Sequence, residues 1–356
     1  MSENNFPTLH DGDNPVPASL KRLRTVLAGF FILTILSSVY GGWWYYVASQ
    51  FESGLDLWVE QRRQQGFEIT YKQKSANGFP GTVKLELMSP MIRKPGDRGW
   101  TWMTEKLALS IKPWAFDRLL FDVKGGHQWQ VVQHGKERRI EGVAKKWSGQ
   151  ITLVNGASDA LSMSLSGLVV RDLLANDAVE IADAQMTLHD LLGKEPAFKV
   201  RMRDVALPKT LRAPLGDQVR HFDAKGKITG PVWLGKWPDM LVRWRDGGGT
   251  LDFDSFDLDY PPLRLRGDGT LALDHAMQPE AAFSVKAEGA IATVDALHNQ
   301  GMIPTGTSFA TKIALGVLSK PSENGGNSSL DLPITVQDQT LYVGSIKLLK
   351  FASVRW

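Results

Sequence analysis

The chain has 356 residues, a formal net charge of +3 and no cysteine. So small a charge on so long a chain argues against a nucleic-acid-binding protein, and without cysteine there is no disulfide, thiolate metal site or cysteine nucleophile. Its 43% hydrophobic and 22% charged residues suffice to bury the core of one large or two ordinary domains.

Residues 1–20 are polar, hold three prolines and show no periodicity, which predicts a disordered tail. The span from Thr25 to Phe51 carries no acid or base apart from its tyrosines, and Lys21, Arg22 and Arg24 stand directly before it. A bilayer core takes about 20 apolar residues in helical form, so residues 21–50 are expected to anchor the chain in a membrane. By the positive-inside rule the N-terminus then lies in the cytoplasm, and everything after Phe51 is exported. Tyr40, Trp43, Trp44, Tyr45 and Tyr46 cluster at the far end, where amphipathic rings favour the water–lipid interface. A cleaved signal peptide also starts basic and turns apolar; here Val47-Ala48-Ser49 is the only passable cleavage site. Residues 51–66 place Leu55, Trp58, Val59 and Arg62 at helical spacing ahead of Gly66. They predict a juxtamembrane helix that continues the anchor or rests on the bilayer, its narrow apolar stripe equally able to dock on the following domain.

From Phe67 the apolar period changes to two. Phe67, Ile69 and Tyr71 alternate with polar residues, as do Val83, Leu85 and Leu87. Asn77-Gly78-Phe79-Pro80-Gly81 between them is turn chemistry, so the two runs read as an antiparallel pair. The alternation returns at Leu161, Met163 and Leu165, at Phe198, Val200 and Met202, and at Leu332, Ile334 and Val336. In TLDFDSFDLDY the apolar parity changes between Phe253 and Phe256, which requires one extra residue and predicts a bulge or tight bend at Ser255. Three short helices are expected: PDMLVRWRD with Leu241 and Trp244, a stripe of Ile291, Val294 and Leu297, and a stripe of Phe309, Ile313 and Val317. The expected fold is mostly β (all-β to α+β). An N-terminal transmembrane helix precedes a large curved antiparallel β-sheet with a few short helices over residues 67–356.

An order of segments then becomes recognisable: the anchor, the juxtamembrane helix, QQGFEITY, NGFPGTVKLEL, VRWRDGGGTLDFDSFDLDYPPLRLRGDGTLALD and LDLPITVQDQTLYVGSIKL. It resembles an uncharacterised alphaproteobacterial family of membrane-anchored periplasmic proteins, a domain of unknown function. The family's Gly-Phe-Pro turn is matched by Gly78, Phe79 and Pro80, and its Trp-Arg then Gly-Gly element by Trp244, Arg245, Gly247 and Gly248. The piece from Gly269 to Asp274 is also similar to strands of AsmA-like envelope proteins. The first resemblance carries no activity over. The second implies outer-membrane biogenesis or phospholipid traffic through sheets folded into apolar grooves.

The residues themselves assemble no catalytic constellation. Seven histidines (His10, His127, His134, His189, His221, His275 and His298) are scattered without metal spacing. His189-Asp190 is the only His–carboxylate neighbour pair, and neighbours on a strand point to opposite faces. No nucleophile elbow, P-loop or dinucleotide glycine pattern occurs. Asp252, Asp254, Asp257 and Asp259 read as the wet face of a strand or as a cation site. Lys136, Arg138, Arg139, Lys145 and Lys146, bracketed by Trp129 and Trp147, read as a solvated hairpin or as a contact for anionic head groups. Trp100, Trp102, Leu107, Leu109 and Ile111 offer an apolar face to a protein core or to lipid. The expectation is a non-enzymatic protein without cofactor, whose partners are the membrane, lipid and envelope proteins. Its apolar sheet face or groove would take a lipid-like ligand; the alternative is an anchored scaffold with a closed β core and no ligand.

Overall fold

The computed structural model describes residues 18–356, apart from 98, 134–135, 174, 176, 194, 212, 231–238, 319–328 and 355. Most of the expected tail thus lies outside the described residues. The anchor and the juxtamembrane segment form one continuous helix, α1 (Ala18–Gln64), of 47 residues. Gly66 ends it with φ 80, a conformation that costs glycine least. Its N–H donates to the Arg63 carbonyl at 2.8 Å and that of Phe67 to Arg62 at 3.1 Å, the Schellman pattern that satisfies the last helical carbonyls.

Four short strands follow: β1 (Glu68–Thr70), β2 (Gln73–Asn77), β3 (Val83–Met88) and β4 (Met91–Lys94). Next come β5 (Trp100–Lys112), β6 (Ala115–Gln133), β7 (Lys136–Val143), β8 (Lys146–Val154) and β9 (Ala157–Asp172). Then come β10 (Asp177–His189), β11 (Ala197–Ala206) and β12 (Gln218–Thr229). Helix α2 (Asp239–Asp246) leads into β13 (Thr250–Tyr260), β14 (Leu263–Leu273) and β15 (Pro279–Glu288). Helices α3 (Ala290–Asn299) and α4 (Thr305–Leu318) precede β16 (Ser329–Gln337), β17 (Thr340–Val343) and β18 (Ile346–Lys350).

All the strands join one antiparallel sheet, so the fold is mostly β. From β8 onward each strand pairs with the next. β7 and β8 lie end to end and fill one position between β6 and β9. The start differs from the sequence reading. Only QKSAN of the first alternating run pairs with β3; its beginning, β1, pairs with β4 instead. The alternation runs on through Tyr71 and Lys72, which belong to neither strand.

Paired residues of a ladder share a face, and the register keeps two faces unmixed. Leu85, Leu109, Phe121, Gly149, Met163, Met186, Val200, Ala224, Phe256, Gly267, Val285 and Leu332 stand opposite one another in turn from β3 to β16. Their neighbours form a polar row on the other face, through Glu86, Asp122, Ser148, Ser164, Gln185, Arg201, Asp223, Asp257, Arg266, Lys286 and Asp331. The bulge expected at Ser255 is present: Lys225 pairs with Ser255 but Gly226 with Phe253, so Asp254 is the extra residue. It lets Phe253 and Phe256 occupy the apolar face together.

Among the described residues, helices pack on that face at its two ends. Trp44, Val47 and Ala48 of α1 bury themselves against Val83 and Ile111. At the far end Val294 and Leu297 of α3 and Leu315 of α4 pack on Val285, Ala287, Leu330 and Leu332. Helix α4 departs from the sequence reading, because its buried side chains are Ser308, Thr311 and Leu315 while Phe309 and Ile313 stand exposed. Small residues face inward there and the larger apolar ones outward, and Ile291 of α3 is exposed as well. The side chain of Val317 lies outside the described residues.

On the apolar face the Phe198 and Phe253 rings approach to 5.4 Å between centroids although β12 runs between them. Gly226 occupies the intervening position, and a Cβ there would sit 2.0 Å from the Asp252 carbonyl oxygen. Gly226→Ala is therefore expected to cost about 2 kcal/mol, as overpacking does. The urea midpoint should fall with unchanged slope, whereas Ser164→Ala on the polar face should leave it nearly unmoved.

Candidate functional site

Between the two covered ends lies a stretch of apolar face with another character. On β9 to β12 the residues Leu161, Met163, Leu165, Met186, Leu188, Phe198, Val200, Met202 and Phe222 are neither buried nor fully exposed. Neither of the two hydrophobic cores contains them. Of their strand neighbours, Ser162, Ser164, Gln185, Lys199 and Arg203 are exposed, while Thr187, Arg201, His221 and Asp223 are half-buried. The Phe198 and Phe253 rings meet over Gly226, and Phe253 meets Phe283 at 5.7 Å, so a run of phenylalanines continues the apolar face toward β15. This half-sheltered apolar stretch, with α1 packed at one end of the face and α3 and α4 at the other, is the candidate trough.

The opposite face is held by ions. Asp257 accepts from Arg266 at 2.8 Å and meets the His221 ring nitrogen at 2.9 Å. Burial pushes its pKa up, but those two hydrogen bonds outweigh burial and hold it below the usual carboxylate range. Asp259 takes Arg264 at 2.6 Å, and Asp252 accepts from the Thr270 hydroxyl at 2.9 Å. Asp252, Asp257 and Asp259 are thus spent on the polar face, and Asp254, the extra residue of the bulge, is exposed. Among the described residues no group of three metal-ligating side chains exists. Glu86, between Lys106 and Lys84 at 2.8 Å each, is lowered to about 2 by their hydrogen bonds.

The candidate side chains named from the sequence separate into several places. Lys21 and Arg22 fall within α1, but their side chains lie outside the described residues. Arg24 is exposed on the same helix. Tyr40, Trp43 and Trp44 hold the turns below the sheet, and Tyr45 and Tyr46 are exposed beside them. Leu107, Leu109 and Ile111 share the apolar face with β3. Trp102 reaches Trp147 at 6.1 Å, whereas Trp100 turns to Phe67 at 6.2 Å. Arg138 pairs with Asp172, and Arg139 lies 3.6 Å from Glu137. Both arginines stand on the order of 50 Å along β6 from the turn that Trp43 touches, at about 3.3 Å per residue. Lys145 and Lys146 are exposed in the joint between β7 and β8. Lys136 opens β7, its side chain outside the described residues. His189 closes β10, and Asp190 turns away from it with φ 58.

Sequence reasoning missed one cluster. Opposite Glu105, β6 carries one residue too many, Gly125-Gly126, and the Gly126 N–H donates to the Glu105 carboxylate at 2.9 Å. Just beyond this bulge His127 sits 1% exposed among Trp102, Trp129 and Trp147. Among the described residues neither of its ring nitrogens has a hydrogen-bond partner, nor do the Trp102 and Trp147 indole N–H groups. The GGHQW run was the available signal, but Trp102 and Trp147 come in only through the register. Burial pushes the His127 pKa down against the opposing pull of Glu105.

A histidine whose folded pKa is depressed stabilises the fold fully above its unfolded pKa of about 6.5. That stability is lost as pH falls, because the unfolded chain takes up the proton first. On going from about pH 7.5 to about pH 5 the urea midpoint should drop more in the native chain than in His127→Phe, which keeps a ring in the box without the titration.

Comparison with known proteins adds the family. No curated protein and no solved structure matches the chain. The family described as "Uncharacterized protein conserved in bacteria (DUF2125)" matches residues 44–352. That range starts at Trp44, where α1 meets the sheet, and runs through β18. Both short motifs of the sequence reading are joints within it. Phe79, of the Gly78-Phe79-Pro80 turn, lies against Trp44 at 5.5 Å. The Trp244 indole donates to the Thr229 carbonyl at 2.9 Å, and Gly248, with φ 72, follows the end of α2. The chain belongs to this uncharacterised bacterial family.

Proposed function

We propose that this protein holds lipid or a lipid-like ligand by its apolar chains in the trough of β9 to β12, without covalent chemistry. Helix α1 is long and apolar enough to span a membrane. In this reading it anchors the chain in the inner membrane, with the N-terminus in the cytoplasm and the sheet in the periplasm. The role is envelope maintenance or lipid transport, in keeping with the similarity to AsmA-like strands noted above.

The observation that carries the reading is the half-sheltered apolar row from Met163 to Phe222, left uncovered while both ends of the same face are packed. An acyl chain entering such a trough gains about 0.8 kcal/mol per buried CH₂. Ten such groups would contribute roughly 8 kcal/mol before ordering costs. A second reading, an anchored scaffold, is favoured by a different observation: the exposed Phe309 and Ile313 on α4 beside exposed Ile291 and Met302, an apolar patch of the kind that docks proteins.

Native mass spectrometry of the full chain in mild detergent separates the two. Lipid should ride with the protein, and Met186→Asp and Val200→Asp should each reduce its occupancy several-fold while far-ultraviolet circular dichroism stays unchanged. A ligand-free native mass rejects the trough reading, and a stoichiometric protein partner lost with Phe309→Ser would replace it by the scaffold.

A further inference from the structure

We infer that the end of the sheet formed by the β2–β3 and β5–β6 turns is itself a membrane contact. The turns bearing Phe79, Trp114 and Phe116 sink into the head-group layer of the leaflet from which α1 emerges. The inference rests on α1 spanning the bilayer, as proposed above, and concerns how the sheet then meets the lipid.

Helix α1 is exposed at every residue from Leu23 to Val39 and is first covered at Tyr40. The bare length is about 25 Å at 1.5 Å per residue, close to the hydrocarbon core of roughly 30 Å. The folded part thus begins where the lipid tails would end. At that level the helix grips two turns. The Tyr40 hydroxyl donates to the Pro80 carbonyl, and the Trp43 indole donates to the Pro113 carbonyl at 3.2 Å. Trp44 meets Phe79 edge-on at 5.5 Å, and Trp43 meets Phe116 at 6.2 Å.

These contacts fix the turns at the height of the aromatic belt and leave their outer sides bare. Phe79 is 59% exposed, Trp114 65% and Phe116 50%. Exposed aromatic residues in the plane of an existing belt are what the water–lipid interface selects. Lys112 is exposed beside them, as are Asp117 and Arg118, which lie 3.6 Å apart; a cation such as Lys112 next to such rings matches anionic phosphates. The far end of β6 leads to a different surface, with Glu137, Arg138 and Arg139 exposed. The two ends of the sheet are therefore unlike, and the aromatic end is the one tied to α1.

The absence of cysteine permits a direct test. Single nitroxide labels are placed by Phe79→Cys, Trp114→Cys, Leu33→Cys and Leu211→Cys in the full chain. The chain is reconstituted in vesicles of phosphatidylethanolamine and phosphatidylglycerol. Oxygen collects in the bilayer and a nickel chelate stays in water. Labels at Leu33, Phe79 and Trp114 should be relaxed more by oxygen, and the label at Leu211, at the opposite end, more by nickel. A lipid-like Leu33 with water-like Phe79 and Trp114 overturns the contact and leaves the anchor standing. A water-like Leu33 removes both. Spin–spin broadening at Trp114 that disappears on dilution with unlabelled chain would assign this surface to a second copy, which also overturns the inference.

Discussion

Register is the constraint on which the rest of this structure depends. Side chains alternate along a strand, so a slip of one residue would exchange the wet and dry faces of every strand that follows. A sheet this wide multiplies that danger, because each strand is the template for the next. Among the register shifts of the sheet, two local insertions show how the chain meets it. The extra Asp254 in β13 repairs a parity change, and Gly125-Gly126 in β6 re-aims the upper part of the sheet. The second insertion has a conformational cost, a positive φ of 88 at Gly125, which glycine alone adopts readily. Across the polar face, opposite charges such as Arg201 with Asp223 and Arg266 with Asp257 contribute little stability at the surface.

The parts legible in the sequence were those written in a single strand. Leu161, Met163 and Leu165, or Phe198, Val200 and Met202, announce a half-wet strand by period alone, and the parity break at Ser255 announced its own bulge. What needed two distant segments was not legible. The run from Phe67 to Lys74 alternates without interruption, yet its two halves go to different partners, and nothing local marks the break at Tyr71. The stripe of Phe309, Ile313 and Val317 looked like the buried side of α4 because size was taken for burial, while Ser308 and Thr311 turned inward. The His127 box unites residues from three strands, so a lone histidine carried no sign of it.

The same face serves two purposes. At its ends it is an ordinary hydrophobic core, where α1 and the α3–α4 pair exclude water and stabilise the sheet. In the middle, among the described residues, it stays half open. The candidate site thus emerges from the spacing of helices over the sheet and from no single residue, which is why a motif search returned nothing. Its lining is methionine, leucine, valine and phenylalanine, side chains that adapt to a partner without a fixed pattern of hydrogen bonds.

Helix α1 runs unbroken from Ala18 to Gln64, and this gives the molecule a mechanical property. It has no swivel between the part that would lie in lipid and the part that carries the sheet. Bare helix and sheet-bearing helix must lean together, so a thinner bilayer, which tilts an overlong apolar span, would tip the whole sheet by the same angle. The height and pitch of the trough above the membrane are then set by the thickness of the bilayer, and the protein behaves as a mast whose heel follows the deck.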